Sequence, residues 1–236
     1  MSITKNLEAI PWKAVQQDLY ENGFTVVENV LDDGQCESLI AGFNRPEQYR
    51  KTVEMERYRF GKGTYKYFKY PLPPGIAQLR ELVYPKLVPV ANQWMLDLKK
   101  GIAFPKTLSS LQQKCRENGQ LLATPLILRY PKGGYNTLHQ DLYGEVYFPI
   151  QMVLFLNERD RDYSGGEFVM TQQVPRAQSK AIVLHPPKGA MALFTTNHRP
   201  IKGKNGYYKV NMKHGVSEVH SGERYTLGII FHDATT

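Results

Sequence analysis

Apolar positions in the first half of the chain recur at intervals of three or four. Leu7 to Tyr20 has this helical spacing, and Gly23-Phe24-Thr25-Val26-Val27 follows as a short strand. Asp32, three residues before Gln35, has the form of a capping box and predicts a helix to about Phe43. Ile76, Leu79, Val83, Leu87, Val90 and Trp94 predict a longer helix reaching about Leu98. Pro85 and Pro89 oppose it, because each removes a backbone donor and crowds the preceding turn. Leu108 to Cys115 predicts a further helical turn or two.

After Ala123 the pattern shortens to β-branched and aromatic runs between Gly, Pro and Asn turns. Pro125 to Tyr130, Val146 to Leu156, Glu167 to Thr171, Ala181 to Leu184, Ala190 to Thr195, Val210 to His214 and Tyr225 to His232 are candidate strands. The spacers are too short for crossover helices, which excludes a parallel α/β sheet. The expected fold is mostly β with flanking helices. A jelly-roll core (a double-stranded β-helix) over 123–236 is set against a helical buttress with lid segments over 1–122, in one domain spanning 1–236.

With 236 residues and 42% hydrophobic content, the chain can build one sizeable core. Cys36 and Cys115 stand far apart, which disfavours a disulfide framework or a zinc knuckle. Met1 to Lys13 lacks the apolar run of a signal peptide, and no stretch is apolar enough to span a bilayer. A soluble, cytoplasmic protein without a membrane partner is expected. The net charge of +8 is concentrated: Arg57–Tyr70 and Arg199–Lys213 each hold five basic residues and no acid, leaving the rest of the chain at −2. Both segments are also rich in aromatics.

His139 and Asp141 are separated by one residue, so on an extended strand both face the same way. His214 lies 73 residues beyond Asp141. Two imidazoles and a carboxylate suit one face of an octahedral iron(II) ion, leaving the opposite face open. Arg224 and Thr226 are again two apart, offering a planar guanidinium and a hydroxyl to an anion. A salt bridge at a sheet edge would use Arg224 equally well. Tyr130 suits either a core position or a donor to the same anion. The other histidines fit turns, loops or a strand end. Neither GxxxxGK[ST] nor GxGxxG occurs, which disfavours nucleotide hydrolysis and dinucleotide binding.

His139-x-Asp141, His214 and Arg224 together resemble the iron(II)/2-oxoglutarate oxygenase superfamily, particularly its prolyl-hydroxylase-like branch. Arg129-Tyr130, Gly165-Gly166-Glu167, Pro187-x-Gly189-x-Met191-Ala192-Leu193-Phe194 and His214-Gly215-Val216 fall in the order that branch uses. Leu138-His139-Gln140-Asp141-Leu142-Tyr143-Gly144 and Leu227-Gly228-Ile229-Ile230-Phe231-His232-Asp233 are similar to a prokaryotic oxygenase family inferred to act on damaged nucleic acid. The resemblance implies a dioxygenase using iron(II), 2-oxoglutarate and O2. His139, Asp141 and His214 would be the metal ligands, with no catalytic residue beyond them. Arg224, Thr226, Tyr130 and Gln151 would hold the 2-oxoglutarate. Manganese or another divalent ion would suit the same donors.

The expected substrate is alkylated or damaged nucleic acid, single-stranded or extruded. Its candidate contacts are Arg57, Arg59, Tyr65, Lys66, Tyr135, Tyr143, His198, Arg199, Lys202, Lys204, Tyr207 and Tyr208. The alternatives are hydroxylation of an acidic peptide or protein at a prolyl-type side chain, and a non-catalytic metal-containing nucleic-acid-binding or sensor module.

Overall fold

The computed structural model describes residues 3–236. Its helices are α1 (Ile3–Ala9), α2 (Trp12–Asn22), α3 (Asp33–Gly42), α4 (Pro74–Asp97) and α5 (Leu108–Glu117). The first strands are β1 (Phe24–Val27), β2 (Tyr49–Glu54), β3 (Gly61–Lys62), β4 (Thr64–Phe68), β5 (Leu126–Tyr130), β6 (Tyr135–His139) and β7 (Ile150–Phe155). There follow β8 (Tyr163–Gly165), β9 (Phe168–Gln173), β10 (Ser179–Leu184), β11 (Met191–Thr195), β12 (His198–Gly203), β13 (Gly206–Val216), β14 (Val219–Gly222) and β15 (Arg224–Ile229). Among the described residues no helix is long and apolar enough to cross a membrane.

Two antiparallel sheets face each other as a jelly roll. The larger runs β1-β11-β7-β15-β5-β4-β2, and the smaller β10-β9-β13-β6-β3, with β12 beside β13. The capping box is present at α3: Asp32 Oδ1 accepts from Gln35 N, and Gln35 Oε1 accepts from Asp32 N, both at 2.9 Å. Helix α4 continues through Pro85 and Pro89, contrary to the break they suggest. The two prolines are one turn apart on its exposed side, where carbonyls they free can be hydrated, while Val83, Leu87 and Val90 stay buried.

Strand alternation explains what reaches the interior of the roll. On β7, Ile150, Met152 and Leu154 pack toward the helices, while Val153 and Phe155 pack between the sheets. Gln151 shares the second face. On β15, Leu227 and Ile229 face the helices, which turns Arg224, Thr226 and Gly228 inward. On β13, Val210, Met212 and His214 are buried and alternate with exposed neighbours.

The amino-terminal portion departs from a helical buttress with lids. β2 and β4 extend the larger sheet beyond β5, β1 forms its opposite edge, and β3 pairs with β6. Tyr-Arg-Lys-Thr-Val-Glu and Thr-Tyr-Lys-Tyr-Phe carry too many charged and aromatic residues to show an apolar alternation by composition. Pairing of β4 to β5, and of β2 to β4, supplies their order instead. Val146 to Leu156 is also only partly strand, because β7 begins at Ile150.

Candidate metal centre

His139 ends β6, and Asp141 lies just beyond it in irregular chain, so the pair does not share one strand as the two-residue spacing suggests. Gln140, between them, donates to the carbonyls of Asn197 and Met212, both at 2.8 Å, which fastens this loop to β13. His214 comes from β13, directly opposite His139 in the antiparallel ladder. Facing ladder positions bring side chains of one face together. The imidazole centroids are 4.3 Å apart. Asp141 Oδ1 is 3.6 Å from His139 Nε2, and Asp141 Oδ2 is 3.3 Å from His214 Nε2. One ligand atom from each residue lies within 4.8 Å of the other two.

The surroundings prepare these groups for a cation. His139 Nδ1 donates to Thr137 O at 2.7 Å, which leaves Nε2 with its lone pair toward Asp141. Tyr143 donates to Asp141 Oδ1 at 2.9 Å and Tyr67 donates to Tyr143 at 3.1 Å. Burial pushes the Asp141 carboxyl up, but His139, His214 and the Tyr143 hydrogen bond outweigh it and hold it well below the usual carboxylate range. Burial, followed by His139, pushes the His214 imidazole below its ordinary value despite Asp141, favouring the neutral ring that binds metal. Phe194 packs against that ring with centroids 4.8 Å apart.

These residues open into a cavity of about 250 Å³ whose lining also includes Tyr130, Gln151, Arg224 and Thr226. Arg224 is 1% exposed, and among the described residues its Nε and Nη1 have no hydrogen-bond partner. Tyr163 meets the same guanidinium, and Tyr130 and Phe155 rings lie 5.6 and 5.5 Å from its carbon. A β-carbon on Gly166, where φ is +62°, would sit 2.9 Å from Arg224 Cδ, so glycine leaves this side chain its place. Tyr130 is fully buried and its phenol is pushed up to about 12 by burial, against the pull of Arg224. Gln151 Nε2 lies 3.3 Å from His214 Nε2, while its Oε1 is buried and has no partner among the described residues.

The proposed substrate contacts divide sharply. Tyr65 and Tyr143 line the cavity. Arg57 and Arg59 are exposed beside Phe60, which also lines it. Lys66 does not reach it: strand alternation turns it to the opposite face, where it donates to Phe43 O at 2.8 Å and sits 4.2 Å from the Phe43 ring centre. Tyr135 is 42% exposed and outside the lining. None of His198, Arg199, Lys202, Lys204, Tyr207 and Tyr208 lines the cavity. Arg199 is buried and donates to Glu21 O, Pro200 O and Gln172 Oε1, a structural clamp. The β12–β13 hairpin runs away from His214. Tyr207 is seven positions along the strand, roughly 23 Å at the usual rise. His198 is half-buried, its pKa pushed down to about 4 by burial and by Lys209 and Lys100.

Sequence reasoning missed Tyr67, Met55, Phe60 and Asn136 in the lining. Tyr67 was accessible by alternation, since it is two residues from Tyr65 on the same strand face.

A family model described as "Oxygenase, catalysing oxidative methylation of damaged DNA" matches residues 63–234. The chain belongs to this oxygenase family. Two uncharacterized proteins of Mycobacterium tuberculosis strains are each 42% identical over 167 residues, 71% of this chain and 72% of theirs. A prolyl-4-hydroxylase of Pseudomonas putida superposes with a TM-score of 0.58 at 16% identity, covering 94% of this chain and 98% of that one. An oxidoreductase of the 2OG-Fe(II) oxygenase family from Burkholderia pseudomallei gives 0.54 at 15% identity, covering 97% and 95%. At these identities the structural likeness establishes the shared jelly-roll fold. Within the Oxygenase-NA match lie all three clustered donors and Arg224.

Proposed function

We propose that this Oxygenase-NA member is an iron(II)- and 2-oxoglutarate-dependent dioxygenase acting on damaged nucleic acid. The observation that carries the cofactor reading is Arg224, a buried guanidinium that lines the cavity with His139, Asp141 and His214 and, among the described residues, has two nitrogens without an acceptor. A buried cation without an anion costs several kcal/mol, on the order seen when one partner of a buried pair is removed, and a carboxylate removes that cost. The donor set fits iron(II): two imidazoles and one carboxylate, one imidazole oriented through its other nitrogen. When bound, iron with 2-oxoglutarate supplies oxidative hydroxylation of a C–H bond, which on an N-methyl group leads to loss of formaldehyde.

The chain's own residues do the rest. His139, Asp141 and His214 hold the metal, with Tyr143 fixing one Asp141 oxygen. Arg224 binds the distal carboxylate, with Thr226 and Tyr130 beside it. Gln151, its Oε1 unused, borders the same space. Leu126, Leu128, Phe168 and Phe194 keep the cavity apolar, which strengthens the charge pairing within it.

Damaged nucleic acid as substrate is supported by the family description and by the basic, aromatic segment at the cavity mouth. The test is turnover of iron-loaded protein with N-methylated single-stranded oligonucleotides and, in parallel, with proline-containing acidic peptides. Formaldehyde release coupled to succinate from the oligonucleotide is expected. A peptide product heavier by one oxygen atom, with no oligonucleotide turnover, would assign a prolyl-type substrate instead.

A further inference from the structure

The chain between β2 and β3 places two aromatic rings in water at the rim of the cavity. Tyr58 is 56% and Phe60 45% exposed, and their rings stack with centroids 5.5 Å apart at 19°. Phe60 also lines the cavity that contains His139 and His214, so the pair extends from the mouth into solvent. The Thr137 amide and hydroxyl both donate to the Phe60 carbonyl at 2.9 Å, fixing this segment to β6 two residues before His139. Arg57 and Arg59 flank the rings. Both are exposed, and among the described residues neither forms an ion pair. The acids just upstream are engaged elsewhere, Glu54 by the Thr64 hydroxyl and Glu56 by the Gly63 amide.

We propose that Tyr58 and Phe60 are the stacking platform for the nucleotide next to the one oxidised, in a single-stranded nucleic acid whose phosphates meet Arg57 and Arg59. This rests on the nucleic-acid reading above and extends it to residues outside the cofactor site. A base entering the cavity leaves its neighbour without a stacking partner. A stacked pair of rings at the mouth replaces that partner and tolerates any base, since each base has a flat π face. Paired exposed rings also shed unfavourable hydration when covered. Cations for phosphates beside flat rings for bases are the two elements that recognition of a single strand uses together, and a peptide that bound the same rings would give no 2-aminopurine quenching.

The experiment measures binding of a short fluorescent oligothymidylate to the full chain and to Tyr58→Ala and Tyr58→Phe, with an added 2-aminopurine oligonucleotide to report stacking. Tyr58→Ala is expected to bind about 5- to 100-fold more weakly and to lose the quenching of 2-aminopurine, and Tyr58→Phe to keep both. Arg57→Gln is expected to lower the slope of log affinity against log salt by about 0.7. If the parent chain binds the oligonucleotide and Tyr58→Ala binds equally well with equal quenching, the platform is overturned while the nucleic-acid reading stands. If the parent chain does not bind it, both fall together.

Discussion

Arg224 lines an apolar cavity, and among the described residues its buried Nε and Nη1 meet no hydrogen-bond acceptor. Arg224→Ala is therefore expected to raise the 2-oxoglutarate concentration needed for half-maximal succinate formation by about tenfold or more, the loss of one charge-assisted pair of about 1.5–3 kcal/mol. An unchanged requirement would remove that role. Asp141→Ala is expected to abolish turnover and to weaken iron(II) binding measured by equilibrium dialysis, since it removes the anionic member of the donor set. Much of this chemistry was visible as spelling, in His139-x-Asp141, His214 and the Arg224–Thr226 pair. The meeting of His139 with His214 was not, because it depends on a ladder register between segments 75 positions apart. Tyr143, expected as a substrate contact, lines the cavity and also donates its hydroxyl to the Asp141 carboxylate, a link that the sequence did not show.

The strands expected in the second half fell on their β-branched and aromatic runs, and α3, α4 and α5 on the Asp32 cap and the three-to-four spacing, whereas Leu7 to Tyr20 is divided at Ile10-Pro11 between α1 and α2. Where charged and aromatic residues filled both faces, as in β2 and β4, period carried no signal and partner strands decided. The basic hairpin of β12 and β13 shows the opposite error: closeness to His214 in sequence became distance along an extended strand. Close approaches between elements were likewise hidden. Gly189, just before β11, has φ +78°, and its carbonyl accepts from the Val30 and Leu31 amides at 3.0 Å each. An added β-carbon would lie 2.3 Å from Leu31 O. Gly189→Ala is expected to destabilise the protein by about 1–3 kcal/mol in urea denaturation, and an unaltered midpoint would show that this contact yields without cost.

The fold as a whole works by keeping polar groups inside it in defined charge states. His232, fully buried after β15, accepts from the Phe148 amide at 3.1 Å and is pushed down to about 3, first by burial and then by Arg80, from an ordinary 6.5. The unfolded chain takes up this proton near pH 6.5, and the folded chain resists until about pH 3. Its contribution to stability is thus complete above pH 6.5 and declines as pH falls toward 3, by up to about 1.4 kcal/mol per pH unit. Unfolding midpoints between pH 7 and 5 are expected to fall less steeply in His232→Gln than in the parent, and parallel profiles would contradict this. The jelly roll and its helical backing were legible from texture, but the use of β1 to β4 to complete and close the sheets required tertiary pairing.

The proposed chemistry depends on β6, the loop after it and β13 presenting three donors to one ion, and on β15 presenting Arg224 to its organic partner. The direct test is anaerobic titration of the metal-free protein with iron(II) and 2-oxoglutarate, following the visible metal-to-ligand charge-transfer absorption. A band saturating at one iron per chain, absent in His214→Ala and requiring more 2-oxoglutarate in Arg224→Ala, is predicted. No band in the folded parent chain, or one unaffected by His214→Ala, would contradict the account.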